Sequence, residues 1–367
     1  MGWNSWNTFG TDISEELIKQ TADFFVASGL KDAGYEYIVI DDCWAEMERS
    51  ADGKLVPDAK KFPNGMKHVS DYIHSKGLKF GMYSCAGLMT CAGYPSSFDH
   101  EFVDARTFAE WGVDYLKYDF CYAPKYINGP LLYYRMGMAL RECGREILFS
   151  ACNWGSDNVW QWIRSTGAHM YRSTGDISDT PNSFRDIALS QIPLLGYSAP
   201  GCYNDTDMLI VGMFGKGNVA LGGCTFEEYK MHFALWCMMA SPLMIGCDIR
   251  NMSDEVLDLL KNKDLIRIDQ DEEARPPYPL AGRVGTDLVL FRFLSDREYA
   301  LGVFNFTDGM IKPYIELFDL GLPLSSGCCM SFREIFSGER IDNVKECFSV
   351  AVPAHSCKMY LGRIDRI

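Results

Sequence analysis

The stretch Tyr115-Leu-Lys-Tyr-Asp-Phe-Cys121 is a β-favouring apolar run, broken by one lysine and closed by an aspartate. A second stretch, Met170-Tyr-Arg-Ser-Thr-Gly-Asp-Ile177, repeats the pattern with Arg172 and Asp176. Strands buried on both faces read as near-continuous apolar runs, so a carboxylate at the end marks where the chain leaves the core. Residues two apart in a strand share a face, which turns Lys117 and Asp119 the same way. Outward from these two stretches, short strand-like runs alternate with longer helical ones, as in parallel βαβ units.

Eight of each can be counted. The strand candidates fall at 1–6, 37–41, 79–84, 115–120, 147–154, 169–176, 201–208 and 243–248. Helices are expected near 14–29, 65–76, 101–111, 130–143, 158–165, 182–192, 225–240 and 253–262. Thr225-x-x-Glu228 is a capping-box signature, and Gly77, Gly112 and Gly144 stand where helices should stop. After Pro276-Pro277 the texture changes to alternating strands such as 288–293 and 299–304, with Gly and Asp turns. The fold class is α/β: a (β/α)8 TIM barrel over 1–275, followed by a C-terminal antiparallel β-sandwich domain over 276–367.

Composition excludes several classes. With 35 basic and 49 acidic residues the net charge is 35 − 49 = −14, which repels a phosphate backbone or an anionic membrane surface. The longest apolar run, 233–247, contains Pro242 and falls short of the roughly 20 residues a bilayer requires. Neither nucleic acid nor a membrane is an expected partner; a homo-oligomer is left open. The start on Met1-Gly2-Trp3 carries no leader pattern, so a cytoplasmic location is expected unless a leader has been trimmed. Fourteen cysteines are scattered without C-x-x-C spacing, and the six histidines show no metal-binding spacing. No metal and no cofactor are expected.

In a barrel of this type the chemistry sits at the C-terminal ends of the strands. Those ends carry Trp6, Asp41 and Asp42, Tyr83, Lys117 and Asp119, Asn153, Arg172 and Asp176, and Asp205 with Asp207. One such acid would ordinarily be a helix cap, but six polar strand ends converge on one pocket. Carboxylates accept hydroxyl hydrogens, and the aromatic faces of Trp6, Trp44, Tyr83 and Trp154 suit C–H surfaces, which together describe a small neutral carbohydrate. Glycosidic cleavage commonly uses two carboxyl groups. Asp119 beside Lys117 should keep a low pKa and serve as nucleophile, and Asp176, with a raised pKa, should donate the proton.

These residues resemble glycoside hydrolase family 27, the α-galactosidase and α-N-acetylgalactosaminidase family. The resemblance runs through MGWNSWN, YIVIDDCW, GMYSCAG, YLKYDFC, RSTGDI and NDTDM, and covers essentially the whole barrel. It implies a retaining mechanism with Asp119 as nucleophile and Asp176 as general acid/base. It also implies that Asp41 and Asp42 bind the 4- and 6-hydroxyls, that Lys117 binds the 3- and 4-hydroxyls, and that Arg172 reaches the 2-hydroxyl. Trp6 would face the apolar side of the ring, Tyr83 would line the pocket, and Asp207 would support its floor. Relatives often bridge the positions of Cys91 and Cys121; whether that disulfide forms in this chain is left open, because a reducing cytosol opposes it. Cys43, whose usual partner is missing from Asn7-Thr-Phe-Gly-Thr-Asp-Ile-Ser14, is expected to be a free thiol. Many α-galactosidases carry Cys-Glu-Trp where this chain has Cys152-Asn-Trp154, so recognition at C2 rests on Asn153 and an N-acetylgalactosaminide is the alternative substrate. Retention of both Asp41 and Asp42 argues against a β-L-arabinopyranoside, which lacks the 6-hydroxymethyl.

Other classes fit less well. Gly215-Lys-Gly-x-x-Ala220 follows an apolar run, but no acid stands about 20 positions on at a strand end, as a nucleotide-dependent oxidoreductase would require. Gly-x-Ser-x-Gly is absent from the sequence, which removes the serine-hydrolase reading. A sugar-binding barrel without catalysis would not need both Asp119 and Asp176.

Overall fold

A computed structural model describes residues 1–280 and 287–366. Eight parallel strands form the first sheet: β1 (Gly2–Asn4), β2 (Tyr37–Val39), β3 (Lys79–Cys85), β4 (Tyr115–Asp119), β5 (Leu148–Cys152), β6 (Met170–Arg172), β7 (Tyr203–Asp205) and β8 (Met244–Ile245). Their order is β7-β6-β5-β4-β3-β2-β1-β8, and a parallel bridge between Leu209 and Ile245 joins the chain beyond β7 to β8. The sheet is thereby curled into the expected barrel.

The alternation in β4 accounts for the site. Leu116 and Tyr118 face outward into the core between strands and helices, whereas Tyr115 joins Val39, Met170, Met208 and Met244 in an apolar plug inside the barrel. Lys117 and Asp119 follow Tyr115 on the same inner face, one and two steps nearer the open end. A single strand thus carries the barrel interior from apolar plug to ammonium to carboxylate.

The helices largely occupy their expected places, at Glu15–Ala27, Gly65–Ser75, Glu101–Trp111, Gly129–Glu142, Pro181–Gln191, Phe226–Met239 and Asp254–Leu260. Thr225 and Glu228 form the capping box, and Gly112 ends its helix in the left-handed conformation at φ 81°. The helix expected over 158–165 is instead two 3-10 segments, Ser156–Gln161 and Ile163–Thr166. Asp157 and Asn158 both take positive φ, which breaks the α-helical path, and the indole N–H of Trp162 donates to the Asp157 carbonyl across the break. Strands are also shorter than their apolar runs. Asp41, Asp42, Asp176 and Asp207 lie on loops just past β2, β6 and β7, so of the strand-end acids only Asp119 and Asp205 belong to strands.

The C-terminal strands are antiparallel: β9 (Tyr278–Pro279), β10 (Asp287–Phe293), β11 (Glu298–Asn305), β12 (Tyr314–Glu316), β13 (Cys328–Glu334), β14 (Arg340–Val344), β15 (Cys347–Ser349) and β16 (Ser356–Arg366). Six of them make one sheet in the order β14-β13-β16-β11-β10-β9, and β12 pairs with β15 in a second. The two sheets close over a shared core in which the Phe332 and Phe348 rings lie 4.8 Å apart, a sandwich with unequal layers. Arg292 of β10, fully buried, donates to the carbonyls of Cys237 at 3.1 Å and Arg275 at 2.8 Å, tying this sheet to the end of the helix Phe226–Met239. The Cys237 carbonyl lies in the last turn, where it also accepts the Ala240 N–H at 3.3 Å, so the guanidinium adds a second donor at a helix end short of them.

Candidate active site

A cavity of about 160 Å³ opens at the C-terminal ends of the barrel strands. It is lined by Trp6, Asp41, Asp42, Tyr83, Lys117, Asp119, Trp154, Arg172, Asp176 and Asp207, together with Asn7, Met208 and both Cys91 and Cys121. Nine of the ten expected catalytic and binding residues therefore meet in one place.

Asn153 is the exception. It is fully buried, its amide donates to the Ser156 carbonyl at 2.9 Å, and its Oδ1 finds no partner among the described residues. The turn at Trp154 (φ 57°) and Gly155 (φ 89°) swings the indole to the cavity wall and leaves Asn153 behind it. A direct role for Asn153 at C2 is thus not supported by its placement. Trp44, expected in the lining, is also buried behind the wall, where its indole N–H donates to the Tyr83 carbonyl at 2.9 Å.

On one side of the cavity Asp41 accepts from Lys117 Nζ at 2.8 Å and from the Asn4 amide at 2.6 Å, with its side chain only 2% exposed. Burial, the largest single influence, pulls the Lys117 ammonium down, but Asp41 and the other negative groups around it, Asp119 among them, together outweigh burial and hold it well above the usual lysine value. Asp42 accepts the backbone N–H groups of Ala92 at 2.9 Å and Cys43 at 2.7 Å; burial nevertheless lifts its pKa. Lys117 sits 5.3 Å over the Tyr83 ring, whose hydroxyl donates to the Cys91 sulfur at 3.2 Å.

On the other side Arg172 acts as a fork. Its Nη1 meets Asp207 at 2.7 Å, and its Nη2 meets Asp176 at 3.0 Å and the Gly175 carbonyl at 2.9 Å. Asp207, at φ 81°, turns its other oxygen to the Ile177 N–H at 2.6 Å, which fixes the loop that presents Asp176. Beneath lies a cavity of about 20 Å³ with room for about one water, bounded by Lys117, Arg172, Asp205 and Tyr115. Burial pushes the Asp205 carboxyl up to about 6.

The two candidate catalytic acids differ in a way opposite to the sequence-based expectation. Asp119, 5% exposed, accepts the Phe120 N–H at 2.9 Å, and burial pushes its pKa up to about 6 despite Lys117. The ammonium that was to keep it low hydrogen-bonds Asp41 instead. Asp176 has a side chain 69% exposed; the residual burial raises its pKa, but Arg172 and then Lys117 outweigh that and leave it below the usual aspartate value. Position, rather than acidity, is what assigns their roles: Asp119 belongs to the floor and Asp176 to the mouth.

Cys91 and Cys121 are bonded, with Cα atoms 5.1 Å apart, which answers the question the sequence left open. Cys43 is a buried free thiol, as expected. Asn4, Asn7 and Met208 were not singled out from the sequence, although Asn4 and Asn7 flank Trp6 within the same opening motif and Met208 follows Asp207 directly. A larger groove of about 1020 Å³ lies at the opposite, N-terminal ends of β2–β6, between Tyr37, Lys79, Asp114, Arg145 and His169. It is remote from the paired carboxylates and belongs to the face where barrels invest in stability.

A (β/α)8 barrel with two carboxylates across one small, hydroxyl-matching cavity defines a class, the glycoside hydrolases. A family model described as Alpha galactosidase A matches residues 1–271. An α-galactosidase A from Cellvibrio japonicus is 47% identical over 377 residues, covering 97% of this chain and 89% of its own. An α-galactosidase from Cyamopsis tetragonoloba is 42% identical over 363 residues, covering 98% of this chain and 85% of its own. The solved structure of the Saccharomyces cerevisiae α-galactosidase with raffinose superposes with a TM-score of 0.89 at 29% identity, covering 100% of this chain and 97% of that one. The chain belongs to this α-galactosidase family.

Proposed function

We propose that the protein is a retaining exo-α-galactosidase that removes terminal α-D-galactosyl residues from small carbohydrates. The observation that carries this reading is the depth difference within one enclosed cavity: a buried Asp119 on the floor and an exposed Asp176 at the mouth. A nucleophile must reach the anomeric carbon of an enclosed sugar, and an acid/base must meet the leaving oxygen on its way out and the water on its way in.

In the first step Asp119 attacks the anomeric carbon while Asp176 protonates the leaving oxygen, giving a β-galactosyl ester on Asp119. In the second, Asp176 takes a proton from water, the water attacks the same carbon, and the ester bond breaks with the anomer retained. Asp41, Asp42 and Lys117 bind the 3-, 4- and 6-hydroxyls, Arg172 holds the 2-hydroxyl side, and Trp6 covers the apolar face of the ring. The raffinose bound by the yeast relative supports a small oligosaccharide as substrate.

The alternative N-acetylgalactosaminide reading drew on Asn153 at C2, and the burial of that amide removes its support. Kinetics on p-nitrophenyl α-galactoside, α-N-acetylgalactosaminide and β-L-arabinopyranoside side by side should favour the first, with α-galactose as the first product by NMR. No turnover of the galactoside, or β-galactose as first product, refutes the proposal.

A further inference from the structure

The strand end that carries Asp119 also carries Cys121, and the loop after β3 brings Cys91 against it. Neither cysteine is fully buried, and both sulfurs line the cavity. The two sulfurs and an Asp119 oxygen all lie within 4.8 Å of one another. We propose that reduction of the Cys91–Cys121 bond turns this wall of the pocket into a metal site, in which both sulfurs and the Asp119 carboxylate bind a thiophilic divalent cation such as zinc and block the sugar site.

The spacing suits such an ion. Tetrahedral zinc with bonds of about 2.3 Å to sulfur and about 2.1 Å to oxygen separates its ligands by roughly 3.5–3.8 Å, so the two sulfurs must part by nearly 2 Å once the covalent bond opens, while the sulfur–oxygen pairs, already within 4.8 Å, need close by about 1 Å at most. The surrounding loop does not depend on that bond alone. The Leu88 N–H donates to the Tyr122 carbonyl at 3.1 Å, and the Ala92 N–H donates to Asp42 at 2.9 Å. At Gly87 a Cβ would fall 1.9 Å from the Cys121 carbonyl oxygen, so only glycine lets the loop lie this close to the strand end. The third requirement is charge: the cavity gathers Asp41, Asp42, Asp119, Asp176 and Asp207 against Lys117 and Arg172, an excess of carboxylates that favours a cation.

The chemistry balances with a dithiol as reductant. It delivers two electrons and two protons, the Cys91–Cys121 bond breaks into two thiols, and the dithiol closes into its own disulfide. The cation then displaces both thiol protons, while Asp119 contributes a lone pair from its carboxylate. In the oxidised protein neither sulfur is a thiolate donor, and Asp119 remains available to the sugar. The inhibitory consequence rests on Asp119 being the nucleophile; the metal binding does not.

The full chain should be compared before and after treatment with tris(2-carboxyethyl)phosphine, which takes up the oxygen of one water as it supplies the two electrons. After removal of the phosphine, one equivalent of Co²⁺ should give a near-ultraviolet sulfur-to-cobalt band in the reduced protein only. Micromolar Zn²⁺ should lower p-nitrophenyl α-galactoside hydrolysis by at least about tenfold in the reduced protein, reversibly with EDTA, and leave the oxidised protein unaffected. Zinc should also shield Cys91 and Cys121 from iodoacetamide, as read by peptide mass spectrometry.

Equal inhibition of the oxidised protein overturns the proposal, as does an unchanged cobalt band in the C91S/C121S variant. Should that variant fail to fold, the alkylation of wild-type protein decides: zinc that leaves both thiols reactive is a refutation. A cobalt band in the reduced protein, with no galactosidase activity in the oxidised one, would leave the metal site standing and remove the functional reading instead.

Discussion

Asp119→Asn should make the protein more stable while destroying its activity. The carboxyl is 5% exposed, and burial places its pKa at about 6 rather than the usual 3.8. A carboxylate whose pKa is raised on folding makes the charged folded state costly, so its effect on stability is unfavourable above the folded pKa and vanishes below the unfolded one. The difference of about 2.2 units, at 1.36 kcal/mol each, gives a cost of about 3 kcal/mol at pH 7.5. Asparagine has nearly the same shape, can still accept the Phe120 N–H, and leaves the Lys117–Asp41 pair in place. It removes only the buried charge. For a 367-residue chain with about 2.1 cal/mol/K per residue, 3 kcal/mol corresponds to a rise in Tm of about 4 °C. Urea or thermal unfolding of both proteins at pH 7.5, 5 and 4 should show the gain shrinking through the window from about 6 down to 3.8 and gone below it. Turnover of p-nitrophenyl α-galactoside should fall by at least about 10⁴-fold. A variant that is less stable at pH 7.5, or a gain that does not change with pH, refutes the burial argument; retained activity refutes the nucleophile.

The same shift sets the acid limb of catalysis: kcat/KM should fall with unit slope below pH about 6 as Asp119 takes up a proton, and a limb lying below pH 4.5 would contradict it. Lys117→Met removes the partner of buried Asp41 and the nearest cation to Asp119, so stability should fall by about 3–5 kcal/mol and the acid limb should move up in pH; an unmoved limb in a folded variant rules out the electrostatic link. Asn153→Glu places a carboxylate where no surface is exposed, and unfolding measurements at pH 7 should show a loss of several kcal/mol, with the ratio of galactoside to N-acetylgalactosaminide turnover unchanged. A stable variant with an altered ratio would restore Asn153 to C2 recognition.

The barrel was legible in the sequence because its signal is repetitive. Eight apolar runs bounded by turns and helices leave few topologies, and a carboxylate at a run's end points to the rim without any knowledge of neighbours. Trp6, Asp42 and Asp207 could be placed in that way. Asn153 and Trp44 could not, because being near a strand end fixes height along the barrel but not direction. In each case a left-handed residue beside it, Trp154 or Cys43, turned the chain after the strand and sent one side chain to the cavity and the other behind it. Isolated positive φ at residues that are not glycine leaves little trace in sequence. The acidities were misjudged for a related reason: Lys117 and Asp119 share a face, but the sequence does not show that Asp41, 76 positions away, takes the ammonium first.

That reversal bears on how the site works. The floor carboxylate is the weaker acid and the exposed one is held down by Arg172, the reverse of what a nucleophile and a proton donor need. A bound sugar would change the second. In the proposed mode its hydroxyls would donate to Asp41 and Asp42, and its aglycone would cover the mouth, stripping water from Asp176 and raising its pKa toward that of a proton donor. Among the lesser influences on Asp119 is the charge of Asp176, which adds to the effect of burial. In the proposed mechanism, formation of the Asp119 ester would be followed by departure of the aglycone, leaving Arg172 and Lys117 to hold Asp176 low, as deprotonating water requires. On that reading one residue would serve as acid and then as base, its pKa raised while the aglycone covers it and lowered by Arg172 once the aglycone has left. The Arg172 fork sets the lower of these two states, and the depth to which the aglycone buries Asp176 would set the upper.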